Sequence, residues 1–374
     1  MPPDFSRNVR CVLGLPFDCV TQDQAEEGLL LAIDRRKRCF LSTPNLNFAV
    51  GCLNDADFRA SVLQSDLSLA DGWPIVAISR LVGAALPERI AGSSLFERLA
   101  ASPRRPQVAV YFFGGPDGAA RAACERLNSR PSGVVCAGFD SPGFGSIAEM
   151  GSATHLDRLN AARPDVVVVA LGAKKGQAWI LNNLDRIEAP VISHLGAVVN
   201  FVAGSVSRAP QWVQTARLEW LWRIKEEPSL WKRYARDGLS LLYLLATRVV
   251  PFAVQQLQSA PTSASLAQAA SCRSEVAGRT VLRLAGDWTH VNVAPLRSLF
   301  ASHAAAGGAV SIDLTDVSHL DSTAIALLAL LYGWQLKTEA SWEVVGTSRA
   351  VRKSLRLACA DYLLRPRGSL SPVK

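Results

Sequence analysis

The sequence predicts an α/β protein: a mostly parallel, Rossmann-like sheet with helices on both faces, then a helical basic and aromatic appendage, then a small C-terminal α/β domain. Three observations support this prediction. Apolar runs of strand length alternate with amphipathic helical segments in the first part of the chain. A segment rich in tryptophan and arginine interrupts this pattern, and a second alternation begins after a stretch rich in serine, alanine and glutamine. Strands that alternate with helices form parallel sheets covered on both faces.

The alternation can be followed element by element. A strand-like run starts at residue 9 and ends at Pro16, and Thr21 is placed to cap a helix that runs to residue 38. A consecutive apolar run at residues 165–172 is typical of a strand buried on both faces. Ligands bind at the carboxyl ends of strands in such sheets, so we expect the site there. The other predicted strands cover residues 40–45, 67–72, 108–115, 134–139 and 191–196, and helices cover 52–66 and 117–129.

The chain has 374 residues, which is enough for two or three domains. We assign residues 1–206 to the α/β core and residues 207–255 to a helical, membrane-associating appendage. Residues 256–274 are predicted to be a linker, and residues 275–374 a separate C-terminal domain.

Composition limits the class of partner and the compartment. A net charge of +8 suits an anionic partner such as a nucleotide diphosphate, an acidic membrane surface or nucleic acid. The eight cysteines form no CxxC pair and no cluster with zinc spacing, so we expect reduced cytoplasmic thiols and no metal. The N-terminus lacks the apolar core of a signal peptide. The most hydrophobic run, Gly238–Leu257, contains Arg248 and Pro251, which favours an interfacial or packed segment over a spanning helix.

Asp71 precedes a glycine at a predicted strand end, where aspartate is commonly a turn residue. Its significance grows because further motifs accompany it in order: Thr43-Pro-Asn-Leu-Asn, Arg89-Ile-Ala-Gly-Ser-Ser, Phe112-Phe-Gly-Gly, Leu171-Gly-Ala-Lys-Lys, Asn200-Phe-Val-Ala-Gly, Arg208-Ala-Pro and Leu218-Glu-Trp-Leu-Trp-Arg. This ordered set, over about residues 9–237, resembles the WecG/TagA/CpsF family of bacterial glycosyltransferases (glycosyltransferase family 26).

The resemblance implies an inverting, metal-independent transfer without a cofactor. A sugar would leave a UDP-sugar for a hydroxyl of a sugar linked by diphosphate to a polyprenyl lipid, in bacterial cell-envelope polysaccharide or glycolipid synthesis. Asp71 would be the catalytic base. The departing diphosphate needs cations or amides around it. The expected substrate-binding residues are Thr43, Asn45, Arg89, Gly92, Ser93, Gly114, Gly115, Gly172, Lys174, Gln177, Gly196, Asn200 and Arg208. Taken singly, each also has a structural explanation, such as a turn or a surface ion pair.

Departures from the family pattern leave the donor sugar open. Gly176 and Gln177 stand where the family usually has Gln-Glu, and Asn200 replaces an aspartate. N-acetylmannosamine, glucose or another hexose therefore remain alternatives. A second reading also stays open, in which a catalytically impaired scaffold binds nucleotide sugar and recruits partners. Asp55-Ala-Asp57 imitates a metal-binding DxD motif, but Asp55 is better explained as a helix cap.

The Trp/Arg segment is predicted to contact the membrane and the lipid-linked acceptor, because tryptophan prefers the headgroup layer and cations meet lipid phosphates. Pro228 is expected to divide the segment into two short helices. The alternative is a packed helical face with solvated basic residues opposite, and no motif supports nucleic-acid binding. We expect a cytoplasmic protein, peripheral at the inner face of the cell membrane. The residues expected at the membrane or the acceptor are Arg217, Trp220, Trp222, Arg223, Trp231 and Arg233.

Residues 275–370 resemble a STAS domain, the fold of anti-sigma-factor antagonists. Asp321 and Ser322 match the position at which members of that family are phosphorylated, so Ser322 is a candidate phosphosite. The alternative is that either residue simply caps the helix that follows. The resemblance implies a regulatory or docking module with a protein partner.

Overall fold

The computed structural model describes residues 2–102, 106–207, 209–210, 212–213, 216, 218–276 and 278–366. Its first part contains a parallel six-stranded sheet with the order β4-β3-β8-β7-β5-β6. The predicted fold class is thereby confirmed for this part. The strands are β3 (Cys39–Ser42), β4 (Leu67–Ser68), β5 (Val108–Gly114), β6 (Val134–Asp140), β7 (Val166–Ala170) and β8 (Val191–His194).

Helices cover both faces of this sheet. Thr21 caps α1 with a capping box, as predicted. The helix predicted at residues 52–66 is two helices, because Asp55 is extended and caps the second one by accepting a hydrogen bond from the Phe58 amide. The helices are α1 (Gln22–Asp34), α2 (Leu46–Asn54), α3 (Ala56–Leu63), α4 (Trp73–Leu81), α5 (Gly92–Ala101), α6 (Ala119–Asn128), α7 (Ile147–Met150), α8 (Ala153–Ala161), α9 (Ala173–Asn183) and α10 (Gly196–Ala203).

The N-terminal segment forms a separate antiparallel hairpin. Its strands are β1 (Val9–Val12) and β2 (Leu15–Asp18). Leu13 and Gly14 both have positive φ, 50° and 79°, which is the geometry of a two-residue type I′ turn. The sequence predicted one strand where the chain turns back, because leucine is an unusual residue for a left-handed position.

The described residues of the appendage include a short helix and a long helix. The short helix, α11 (Glu219–Glu226), ends before Pro228, as predicted. The second helix is longer than predicted and runs from Pro228 to Gln258, through a 3-10 turn, α12 (Trp231–Leu244), a π-helical segment (Leu245–Val249) and α13 (Val250–Gln258). Pro251 cannot donate a backbone hydrogen bond, and the π-helical segment directly before it accommodates that loss.

The C-terminal domain has a mixed four-stranded sheet with the order β12-β11-β10-β9. Its first strand pairs antiparallel with the second, and the other pairs are parallel. The segment predicted to be a linker is helical up to Gln258 and again at α14 (Ser263–Ala267), and β9 already begins at Ala270. The other elements are β9 (Ala270–Val276), β10 (Arg279–Trp288), α15 (Ala294–Ala306), β11 (Val310–Leu320), α16 (Ser322–Lys337), β12 (Trp342–Thr347) and α17 (Arg349–Leu357).

Two of the eight cysteines contradict the expectation of reduced thiols. Cys124 in α6 and Cys136 in β6 are joined by a disulfide, with their Cα atoms 5.2 Å apart. The bond forms because α6 packs directly on β6, a proximity that sequence spacing does not reveal. The remaining six cysteines are free thiols, and the only exposed one is Cys272.

Candidate functional site

Asp71 lies at the carboxyl end of the parallel sheet, between β4 and α4. Its backbone N–H donates to the Pro44 carbonyl at 3.1 Å, which joins the ends of β4 and β3. The Ile90 N–H donates to the Ala70 carbonyl at 2.9 Å, so the segment that contains Arg89 runs beside Asp71. Thr43 and Asn45 follow β3 at the same edge. The structure therefore brings together four of the predicted site residues, namely Thr43, Asn45, Asp71 and Arg89.

Arg89 connects two carboxylates. Its Nε lies 3.7 Å from Asp71 Oδ1, and both terminal nitrogens donate to the carboxylate of Glu219, one of them at 2.9 Å. The side chains of Arg89 and Asp71 are 17% and 30% exposed, so the cluster is open to a ligand on one side. Glu219 was not predicted as a site residue, although it belongs to the motif Leu218-Glu-Trp-Leu-Trp-Arg.

The environment raises the pKa of Asp71 to about 6. Burial makes the largest contribution, because it disfavours the charged carboxylate. Arg89 and Arg223 oppose this shift, and the negative charge of Glu219 reinforces it. A raised pKa makes the ionised Asp71 carboxylate a stronger proton acceptor than an ordinary aspartate.

Close backbone packing shapes the space around Thr43. A side chain at Gly92 would meet Leu195 Cδ2 at 2.3 Å and Thr43 Oγ1 at 3.5 Å, so glycine at the start of α5 leaves room for the Leu195 side chain. Ser93 follows in the first turn of that helix and is half-buried. Asn45 caps α2 by accepting a hydrogen bond from the Phe48 amide at 3.1 Å. The side-chain oxygen of Asn45 is therefore used to cap α2.

The predicted glycine turns lie at the carboxyl ends of β5 and β7. Gly114 and Gly115 have φ values of 90° and 99°, which only glycine adopts readily. The Gly115 N–H donates to the Ala170 carbonyl at 2.8 Å, so this amide serves to join the two turns. Gly172 precedes α9, and among the described residues only its chain neighbours lie within 4 Å of the position that a side chain would take there.

Two predicted binding residues are directed elsewhere. Lys174 is 69% exposed and forms an ion pair with Asp55, the residue that caps α3. Gln177 is fully buried, and its amide exchanges hydrogen bonds with Ser42 Oγ at 3.1 and 3.4 Å. Gln177 therefore has no surface to offer a substrate in this arrangement. Its position in α9 points it at the sheet, which the motif alone did not reveal.

The His194 side chain packs against Gly176 and Gly196, a contact that the sequence did not predict. Its ring lies against Gly176, where an added Cβ would be 2.3 Å from His194 Cδ2, and against Gly196 at the start of α10. Burial lowers the pKa of His194 to about 4, so the ring is neutral. Its Nε2 is buried without a hydrogen-bond partner among the described residues, as is Oδ1 of Asn200. The absence of a side chain at Gly176, where the family resemblance predicts glutamine, thus leaves room for the imidazole.

The appendage contacts the site and also exposes aromatic rings. Asn47 of α2 donates to the buried carboxylate of Asp237 at 3.0 Å, and the Arg223 guanidinium lies 5.1 Å from the Phe201 ring centre. Trp220 and Trp231 are exposed, whereas Trp222 donates to the Ser207 carbonyl. Arg233 is exposed and lies over the Tyr234 ring. Arg208 and Arg217, also predicted here, lie outside the described residues.

Ser322, the candidate phosphosite, is 5% exposed. Its hydroxyl is bonded to the backbone of Cys11 in the N-terminal hairpin. Asp321 is the residue that caps α16, through hydrogen bonds from the amides of Thr323 and Ala324. A kinase would reach Ser322 only after this contact opened, so phosphorylation stays a prediction.

Comparison with known proteins supplies independent evidence. The sequence profile of the glycosyl transferase WecG/TagA/CpsF family matches residues 10–253, and the profile described as Mlab, STAS domain matches residues 273–365. The curated relatives include proteins named N-acetylglucosaminyldiphosphoundecaprenol N-acetyl-beta-D-mannosaminyltransferase. The Bacillus spizizenii protein is 28% identical over 54% of this chain and 76% of its own length. The Bacillus subtilis protein is 29% identical over 54% and 77%, and a Staphylococcus aureus protein is 23% identical over 60% and 86%.

Proposed function

Because this chain belongs to the WecG/TagA/CpsF family of glycosyltransferases and carries a C-terminal STAS domain, we propose that it transfers a sugar from a UDP-sugar to a polyprenyl-diphosphate-linked sugar. In this reaction the acceptor hydroxyl oxygen forms a bond to the anomeric carbon of the donor. The bond from that carbon to the diphosphate oxygen breaks, and UDP leaves with the electron pair. Asp71 takes the proton of the acceptor hydroxyl.

The observation that carries the proposal is the cluster of Asp71, Arg89 and Glu219 at the carboxyl end of the sheet. A base must be within reach of the acceptor and must titrate near the working pH, and Asp71, with a pKa of about 6, meets the second requirement. Its partial exposure leaves room for an acceptor.

Arg89 is the candidate cation for the leaving diphosphate. Phosphate oxygens form paired hydrogen bonds with a guanidinium as carboxylates do, so a diphosphate would compete with Glu219 for Arg89. Arg223 is a second cation near Asp71, because its charge also lowers the pKa of that residue. The proposed transfer needs no metal ion for this charge, because the arginines supply it.

The donor sugar is N-acetylmannosamine or another hexose. The relatives' names favour N-acetylmannosamine as the donor sugar and N-acetylglucosamine as the acceptor sugar. Two features of this chain argue against assuming that its donor is the same as that of the relatives. The His194 ring lies over Gly176, and Oδ1 of Asn200 is buried without a hydrogen-bond partner among the described residues. Gly176 and Asn200 lie near the starts of α9 and α10, the helices that follow β7 and β8, at the sheet edge where the donor is expected.

The long helix Pro228–Gln258 is the candidate membrane contact. Among the described residues it is the one helix long and apolar enough to cross a membrane by length and composition. However, Asp237 contacts Asn47, Arg248 donates to the Arg356 carbonyl and Gln255 donates to Ser354 Oγ, which ties one side of the helix to protein. A helix fixed on one side suits a peripheral position in the interface. The apolar side chains exposed on it are Trp231, Leu239, Leu242, Tyr243, Val250, Val254 and Leu257.

A donor screen tests the proposal. The purified chain is incubated with undecaprenyl-diphosphate N-acetylglucosamine and, in turn, with UDP-N-acetylmannosamine, UDP-glucose and UDP-N-acetylglucosamine. Release of UDP together with extension of the lipid is expected for one donor. Stabilisation by a donor without any transfer would favour the alternative, a scaffold that binds nucleotide sugar and recruits partners.

A further inference from the structure

The C-terminal domain and the N-terminal hairpin share one hydrophobic core. Apolar side chains of the hairpin, among them Val9, Leu15 and Phe17, are buried in the same cluster as the leucines of α16. The Tyr362 hydroxyl also donates to the Gly14 carbonyl at 2.8 Å, at the tip of the hairpin. The hairpin is therefore covered by the C-terminal domain, although it precedes the α/β core in sequence.

Ser322 fixes the position of this hairpin. Its Oγ accepts a hydrogen bond from the Cys11 N–H at 2.7 Å and donates one to the Cys11 carbonyl at 2.9 Å. Cys11 pairs with Pro16 across the hairpin, one position beyond the Val12–Leu15 pair that closes the turn, so the N–H and carbonyl of Cys11 point away from β2. The Ser322 hydroxyl thus makes the two hydrogen bonds with the Cys11 backbone that a neighbouring strand would otherwise make.

The hairpin in turn holds the strand that leads to Asp71. Asp18, the last residue of β2, accepts a hydrogen bond from the Ser68 N–H in β4 at 2.7 Å. Arg7 binds the Asp18 carboxylate at 2.6 and 2.9 Å and donates to the Ser65 carbonyl at 3.1 Å. These groups are buried, so the contacts are little weakened by solvent. A displaced hairpin would therefore displace β4.

The helix that follows Asp71 rests on the same core. A small apolar cavity lies where the hairpin, α4, the long helix and the C-terminal domain meet. Both β4 and α4, which flank Asp71, are consequently in contact either with the hairpin that the C-terminal domain covers or with that domain itself. The cavity is lined by Cys11, Val12, Leu13, Ile78, Val82, Val249, Phe252, Leu357 and Ala358.

We infer that the STAS domain is an internal partner of the N-terminal hairpin and positions Asp71 through it. The face of α16 that covers the hairpin is used within the chain, so an external protein would have to bind elsewhere or displace the hairpin. A change that breaks the Ser322 contact loosens β4 and α4. The inference rests on the proposed function only for the role given to Asp71.

Hydrogen–deuterium exchange of the full chain tests this coupling without a sugar donor. Ser322→Asp places a charge against the Cys11 carbonyl, and Tyr362→Phe removes the hydrogen bond to the Gly14 carbonyl at the tip of the hairpin. Gly28→Ala is the matched control, because among the described residues outside its own helix none lies within 4 Å of the added Cβ. Strand β7 serves as the internal reference, since exchange of a central strand reports global unfolding.

In both variants, peptides covering residues 67–81 are expected to exchange about tenfold faster or more, while β7 keeps its wild-type rate and no segment of the Gly28→Ala protein exchanges faster than in the wild-type chain. The inference is overturned if faster exchange stays within residues 5–18 and 310–337 while residues 67–81 are unchanged. Should Ser322→Asp fail to fold, Ser322→Ala removes the same two bonds without adding charge and is read in the same way. Failure of the transferase assay would leave this result untouched.

Discussion

Glu219 of the appendage binds Arg89 of the α/β core through both carboxylate oxygens. The same guanidinium reaches Asp71, with Nε 3.7 Å from Oδ1. Because Glu219 raises the pKa of Asp71 and Arg89 lowers it, the protonation of Asp71 depends on where the appendage lies. The proposed chemistry is thus linked to the segment that we propose to contact the membrane.

The proposed role of Asp71 predicts the pH dependence of transfer. A general base accepts a proton only when it is ionised, and the pKa of Asp71 is raised to about 6. We expect kcat/KM to rise with pH, with a midpoint near 6 and a plateau above about pH 7. Initial rates with saturating lipid acceptor and limiting donor measure this profile. A midpoint near the ordinary pKa of aspartate, 3.8, would contradict the assignment.

Substitution of Glu219 should shift that profile to lower pH. Glu219→Gln removes a negative charge that favours protonated Asp71, so the acid midpoint is expected to fall below that of the wild-type chain. The same pH series measures the shift. Glu226→Gln is the control, because Glu226 is in the same helix and accepts from the Ser207 amide instead of Arg89. Equal midpoints for wild type and Glu219→Gln would show that Glu219 does not influence the base.

The contact of Gly176 with His194 predicts a stability effect. Gly176→Ala should lower the free energy of unfolding by about 1–3 kcal/mol, because its Cβ would lie 2.3 Å from the imidazole. Gly28→Ala, with open space around it, should raise that free energy by up to about 1 kcal/mol, since alanine favours helix. Urea unfolding measures both values. If the added His194→Ala substitution does not rescue Gly176→Ala, the clash with His194 is not the cause.

The proposed membrane contact predicts how exposed leucines affect binding. Replacing Leu239 and Leu242 together by Asp should weaken binding to vesicles of anionic phospholipid about tenfold or more, because buried leucines contribute about 1.5–3 kcal/mol each. Vesicle sedimentation measures the bound fraction. Leu31→Asp, on the exposed side of α1, is the control and should bind like wild type. Unchanged binding of the double variant would place the membrane contact elsewhere.

Those parts of the fold that are buried in regular patterns were predictable. The apolar runs of β5 and β7 and the cap at Thr21 specify their elements locally. Strand β9 was missed because nearly all its residues are exposed, so Ala270–Val276 shows no alternation of apolar and polar positions. The turn at Leu13 was missed because leucine gives no signal for positive φ.

The site was predictable only where ordered motifs marked it. The motifs led to Asp71 and Arg89, which the structure brings together. They did not reveal that Glu219 binds Arg89 or that His194 covers Gly176, since both contacts join segments distant in sequence. The burial of Gln177 against Ser42 could not be predicted for the same reason, because it depends on how α9 packs on the sheet.

Sugar transfer by an Asp71→Asn variant tests the central claim most directly. Labelled sugar is followed from the active UDP-sugar to undecaprenyl-diphosphate N-acetylglucosamine, with Asp23→Asn, an exposed position on α1, as the matched control. Loss of a general base should lower kcat by about 10²–10⁴-fold, and Asp23→Asn should retain wild-type turnover. Wild-type turnover in Asp71→Asn would show that this carboxylate is not the base.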